Sequence, residues 1–262
     1  MEIIKRQPLM FGIILMFAFT WPIYNAVGLV IGWGLSLAAL IVTVIVYGWG
    51  AMKNLLRRFL IWRVALGWYA VALIGPIIIY LLTLTLYTVI THKVPDPNLT
   101  IAHTIFANAS SSIWPFIILF FITDLITNGE ELAWRGFVLP HLQARQTALM
   151  SSLLLGFLWG LWHLPRFWVT GDYVGFAFAI SNDLLVAIIY TWVYNETGGS
   201  LLLVTLLHAA FNTAYVFLPV NPAAAGSQTI LGFTLLVEIL AAVAVIVISG
   251  PKSLARQKPA QM

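Results

Sequence analysis

The chain has 262 residues, 61% of them hydrophobic and 8% charged, with a mean hydropathy of +0.96. Soluble domains carry about 25% charged residues, so an ordinary soluble enzyme is excluded and an integral membrane protein is indicated. The net charge of +4 comes from basic residues scattered between apolar runs, which suits control of membrane topology rather than nucleic-acid binding, and the absence of cysteine removes disulfides, thiol nucleophiles and thiolate metal sites.

Eight apolar spans are predicted, at 9–27, 30–51, 64–91, 108–128, 148–165, 174–195, 200–218 and 228–249. The expected fold is therefore all-α: a polytopic membrane helix bundle of about eight transmembrane helices forming one domain over 1–262. Lys5 and Arg6 before the first span resemble a signal-peptide flank, but no small-x-small cleavage site follows, so this span is expected to be retained. With eight crossings, Lys5, Arg6, Lys53, Arg57, Arg58, Arg135, Arg145, Lys252, Arg256 and Lys258 share one side, and Lys93 and Arg166 fall on the other. That asymmetry predicts both termini in the cytoplasm. The stretch 93–104 is expected to be a polar external loop and 251–262 a flexible tail.

The informative polar residues cluster between 124 and 213. In "NGEELAWRGF", 128–137, two adjacent glutamates precede an arginine. A carboxylate inside a bilayer costs several kcal/mol and is a functional candidate by default. Were the helix continuous over 123–135, Asp124, Asn128, Glu131 and Arg135 would share one stripe and Glu130 would lie on the next. Glu131 would pair with Arg135 at i+4 and hold the structure. Glu130, with no local cation, is suited to act as a base. The alternative is that both glutamates face headgroups at a helix end. Gly129 is the residue able to interrupt this helix.

In "GFLWGLWHLP", 156–165, Gly156, Gly160 and His163 lie close to one face. The Gly-x-x-x-Gly spacing admits a neighbouring helix and presses His163 against it. In "LLHAAFNT", 206–213, His208 and Asn212 share a face and carry donors suited to a developing oxyanion. The alternatives are a packing motif and an interhelical hydrogen-bond pair. Asn182 and Asp183 lie inside the sixth span, where both are expected to line the same polar cavity, or Asp183 to pair with Arg166 or a tyrosine. Asp124 is expected to anchor Arg135 or Arg145. Glu238 is expected to snorkel or to bond a neighbouring helix, and His92, His103 and His141 to be solvated.

"EELAWRG", "FLWGLWH" (with Phe157 and His163) and "HAAFN" together resemble the signatures of the CPBP, or Abi, intramembrane proteases. That family includes the type II CAAX prenyl endopeptidases and relatives linked to bacteriocin immunity. The resemblance covers about 85 residues, 129–213, in the family's motif order. It implies an intramembrane endopeptidase acting on a lipidated protein or peptide tail at the membrane. In that reading Glu130 is the catalytic glutamate and His163 shares the attacking water. His208 and Asn212 stabilise the oxyanion, and Glu131 and Arg135 support them. The metal-free form is favoured and no cofactor is expected. The competing form is a zinc site of Glu130, His163 and His208 with Glu131 as base. Two other classes stay open: a non-proteolytic immunity or scaffold relative, and a proton-coupled transporter. No internal symmetry of the transporter kind is visible.

Overall fold

The computed structural model describes residues 2–27, 32–105 and 114–256. Lys258 and the start of the predicted fourth span lie outside them. No strand occurs among the described residues. In a lipid interior every backbone polar group has to find its partner within the chain, and an apolar run does so by winding into a helix. Eight apolar helices follow the predicted spans: α1 Pro8–Val27, α2 Gly32–Arg57, α3 Leu66–Thr91, α4 Trp114–Thr127, α5 Ala148–Trp162, α6 Tyr173–Glu196, α7 Leu201–Phe217 and α8 Thr229–Ser249. Six of them, α2, α3 and α5 to α8, are long and apolar enough to cross a membrane; α1 and α4 contribute shorter apolar stretches among the described residues.

The chain divides into two compact units. One comprises Met1–Val64, Thr127–Val204 and Ala242–Met262, the other Ala65–Ile126 and Thr205–Ala241. In the first unit α1 packs on α2 and α5 on α6. The second pairing follows from the predicted glycine spacing. A Cβ on Gly156 would stand 2.7 Å from the Leu184 Cα, and one on Gly160 would stand 2.8 Å from the Ile180 Cα. Only the missing side chains let α5 and α6 approach this closely. Ala148 and Ile188 on these helices form a small core with Ala242, Val245 and Leu254.

The predicted continuous helix over 123–135 does not form. Helix α4 ends at Thr127, and Gly129 adopts φ +65°, a left-handed conformation that glycine takes without a Cβ penalty. The chain resumes helical winding at Glu130 and runs as a π-helix over Leu132–Val138. The stripe of Asp124, Asn128, Glu131 and Arg135 is thereby broken between Asp124 and Glu131. The Asn128 carboxamide oxygen accepts from the Glu130 backbone N–H at 3.1 Å and so caps the new start.

The expected tail is partly structured. The carbonyls of Pro251 and Lys252 accept from Leu149 and Ala148 at 3.1 and 3.0 Å, and Leu254 is fully buried. In the second unit the expected loop 93–104 contains a turn at Pro97–Leu99 and a short helix at Ile101–Ile105. The Asp96 N–H donates to Ala224 at 2.8 Å, and Asn221 donates to the Leu99 carbonyl at 3.2 Å. Glu238 is fully buried, so it does not snorkel.

Candidate active site

The break at 128–129 positions the two glutamates in the first unit. Helix α2 closes over it: the Ser36 hydroxyl donates to the Gly129 carbonyl. A Cβ on Gly32 would collide with the Asn128 backbone and stand 2.9 Å from the Glu130 Cγ. Glu131 then pairs with Arg135 as predicted, at 2.9 Å, with both side chains buried. The π-winding leaves this i,i+4 reach intact. The Arg135 guanidinium also lies over the rings of Trp159 and Tyr190, 4.5 and 4.4 Å from their centroids. Cation–π contacts of this kind gain strength when water is excluded.

Glu130 is 8% exposed and meets a neutral donor: the Trp159 indole N–H donates to its Oε2 at 2.7 Å. A buried carboxylate held by a neutral donor stays available for proton transfer, whereas one tied to arginine is committed.

Trp159 was not singled out in the sequence, although it stands four residues before His163, one helical turn away. Its ring centroid lies 6.4 Å from that of His163. Phe157, which the motif resemblance selected, is 48% exposed and turns away from the core. His163 ends α5, and its Nδ1 bonds the Asp183 Oδ2 on α6 at 3.1 Å. The predicted pressing of His163 against a neighbouring helix therefore occurs. Asp183 takes His163, along with Asn182 at 3.2 Å, in place of the expected Arg166 or tyrosine. With Nδ1–H donating to a carboxylate, Nε2 is presented as the acceptor.

His208 and Asn212 lie on α7 in the second unit, with His208 4% exposed. The Asn212 amide donates to both Asp124 oxygens at 3.2 and 3.3 Å. Asp124 thus holds Asn212 rather than the expected arginines. His141 is not simply solvated. Its Nδ1 bonds the Phe137 carbonyl at 2.6 Å, and its Nε2 bonds the Tyr47 hydroxyl at 2.9 Å. Burial, with a smaller push from Arg145, holds it below the usual histidine pKa, against the Phe137 bond that raises it.

Among the described residues no three His, Asp or Glu side chains gather at metal-ligating spacing. The Asp183–His163 pair itself suits either a metal ligand or a water-orienting imidazole, since both benefit from a carboxylate behind the ring.

Sequence comparison falls on the same stretch. Residues 109–214 match the family of type II CAAX prenyl endopeptidases, Rce1-like. All three motifs lie within that match. The chain is also similar to CAAX prenyl protease 2 of Methanococcus maripaludis, 31% identical over 117 residues. That alignment covers 41% of this chain and 43% of the relative, so the chain spans less than half the length of the curated relative it matches. The Rce1-like segment contains every carboxylate and imidazole assigned to the candidate site.

Proposed function

We propose that this protein is an intramembrane endopeptidase of the CAAX prenyl type, hydrolysing a peptide bond near the C-terminus of a lipidated protein or peptide. The observation that carries the reading is the Glu130–Trp159 bond near the Asp183–His163 pair: a buried carboxylate bonded to an indole whose ring centroid lies 6.4 Å from that of an oriented imidazole. Glu130 takes a proton from water while His163 Nε2 orients it. The hydroxide adds to the scissile carbonyl carbon, the C–N bond breaks, and the proton on Glu130 passes to the leaving amine. The products are a new carboxylate and a free amine. The role of His208 and Asn212 as oxyanion donors rests on the motif resemblance alone. The scattered basic residues support a cytoplasmic-facing site and cytoplasmic termini.

The test uses the full chain purified in detergent and a fluorogenic farnesylated CAAX peptide. Wild type and Glu130→Gln are compared with and without a strong chelator, and bound metal is counted on the same preparations. Loss of a general base typically costs about 10²–10⁴-fold, so a drop of at least about 10²-fold is expected for Glu130→Gln, with wild-type cleavage surviving the chelator. Cleavage lost to chelator and restored by zinc would replace the metal-free mechanism with the zinc form. A folded wild type that does not cleave would overturn the hydrolytic reading for this substrate and favour a non-proteolytic relative.

A further inference from the structure

The end of α2 and the link that follows it carry a charge pattern that the proposed chemistry does not use. Lys53, Arg57, Arg58 and Arg63 fall within residues 53–63, and no acidic residue occurs from position 3 to position 95. Topology control needs only the number of such charges. The structure adds a fixed platform beneath them. The Arg58 guanidinium donates to the Tyr194 hydroxyl and lies 5.9 Å from the centroid of that ring. The Ser200 hydroxyl donates to the Ile61 carbonyl at 2.7 Å. Residues 53–64 and both of these anchors belong to the first unit.

Arg58 is thereby committed to the fold. Lys53, Arg57 and Arg63 are exposed and meet no carboxylate among the described residues. Lys53 and Arg57 stand four residues apart on α2, so two like charges face each other across one helical turn, an arrangement that costs stability until an anion sits beside it. The Arg63 guanidinium lies 5.0 Å from the centroid of the Trp62 ring. Stacking occupies the flat face of a guanidinium and leaves its N–H edge for an oxyanion. Apolar side chains are set among these charges. Leu56 is exposed, Leu60 is 72% exposed and Trp62 56%. Bare cations interleaved with bare leucine and tryptophan suit neither water nor hydrocarbon alone. They suit the boundary, where a phosphate stands beside the first methylenes of an acyl chain. A soluble anion would meet the cations and leave Leu60 and Trp62 in water, so the two halves together select an anionic lipid.

We propose that segment 53–64 is a docking surface for anionic phospholipid, with Lys53, Arg57 and Arg63 taking headgroup phosphates and Leu56, Leu60 and Trp62 packing on the adjoining acyl chains. The assignment does not depend on the hydrolytic reading of Glu130 and His163. It makes the lipid surroundings a selective partner of the first unit, held at the end where α2 leaves the membrane.

The test uses the full chain in a neutral detergent. Binding of a fluorescent phosphatidylglycerol and of the matching phosphatidylcholine is measured by anisotropy, and the thermal transition of every variant confirms that it is folded. Each basic side chain near an anionic headgroup is worth about fivefold in binding. Wild type should therefore prefer phosphatidylglycerol by at least about fivefold at low salt, and the preference should shrink in molar salt. The triple variant Lys53→Gln, Arg57→Gln, Arg63→Gln should remove it, and Arg63→Gln alone should lower it. Lys53→Arg, Arg57→Lys, Arg63→Lys should keep most of it. So should Lys93→Gln, Arg145→Gln, Lys252→Gln, which removes as many exposed charges elsewhere. Leu60→Gln with Trp62→Gln should weaken binding of both lipids. Equal affinity for the two lipids, a preference unmoved by salt, or one that survives the first triple variant overturns the docking surface. An equal loss in the Lys93, Arg145, Lys252 set also overturns it, by assigning the preference to net charge. Displacement of the lipid by inorganic phosphate overturns it in favour of a site for a soluble anion.

Discussion

Helix α4 and the π-helix after it lie four residues apart and could hardly differ more. None of the residues of Trp114–Thr127 is buried, while every residue of Leu132–Val138 is. Both stretches carry large apolar side chains, yet the more apolar of the two, Trp114–Thr127, is the one left exposed, so hydropathy alone does not predict which is enclosed. The difference is what surrounds them. A helix facing lipid tolerates any apolar residue of suitable size, because hydrocarbon outside and hydrocarbon inside are alike. A helix enclosed by protein on all sides must satisfy each polar atom and fill each gap. The site residues Glu131 and Arg135 sit in the enclosed stretch or at its start, where a fixed geometry can be imposed on them.

This contrast is open to test by substitution. The largest effect is expected for Arg135→Gln, which removes the cation paired with the buried Glu131 carboxylate. Removing one partner of a buried ion pair costs about 3–5 kcal/mol, so the thermal transition in detergent should fall sharply or no folded protein should be recovered. The double variant Glu131→Gln, Arg135→Gln should regain part of the loss. A single variant as stable as wild type would mean the pair carries no structural load.

Asp183→Asn addresses the other half of the site. A carboxylate behind a functional histidine is typically worth about 10–100-fold, so kcat should fall by about that factor with KM little changed. The pH–rate profile should move as well, and Asp183→Glu should restore part of the activity. An unchanged profile with a lowered thermal transition would reduce Asp183 to a packing role. The smallest effect belongs to α4. Ile118 and Ile126 are each 62% exposed, and alanine at either should shift stability by no more than about 0.5 kcal/mol. The same change at Phe137, 2% exposed, should cost about 3–5 kcal/mol. Similar losses at all three would erase the contrast between the two stretches.

Much of the site was legible in the sequence, for a physical reason in each case. Glu131 and Arg135 were paired correctly because their partners are four residues apart, a distance the helix itself sets. Gly156 and Gly160 marked the close approach to α6 because only glycine permits it. Trp159 was passed over because an indole in an apolar helix reads as packing until its N–H is seen on Glu130. For Asp183 the sequence left cavity lining and a partner in Arg166 or a tyrosine both open, and its bond to His163 lies 20 residues away across a helix crossing, which no local spacing encodes. Asp124 was expected to anchor Arg135 or Arg145, but its carboxylate takes the Asn212 amide, 88 residues away in the chain.

Local chemistry thus determined the membrane character, the eight apolar helices and the polar residues that carry the candidate site. Each of those follows from the cost of placing a side chain or a peptide group in hydrocarbon, and that cost is paid residue by residue. Tertiary structure alone decided which carboxylate meets which partner. The left-handed Gly129, the α2 backbone closing over it and the α5–α6 approach divide Glu130 from Glu131 and join His163 to Asp183. These choices depend on groups far apart in the chain, and no local periodicity encodes them.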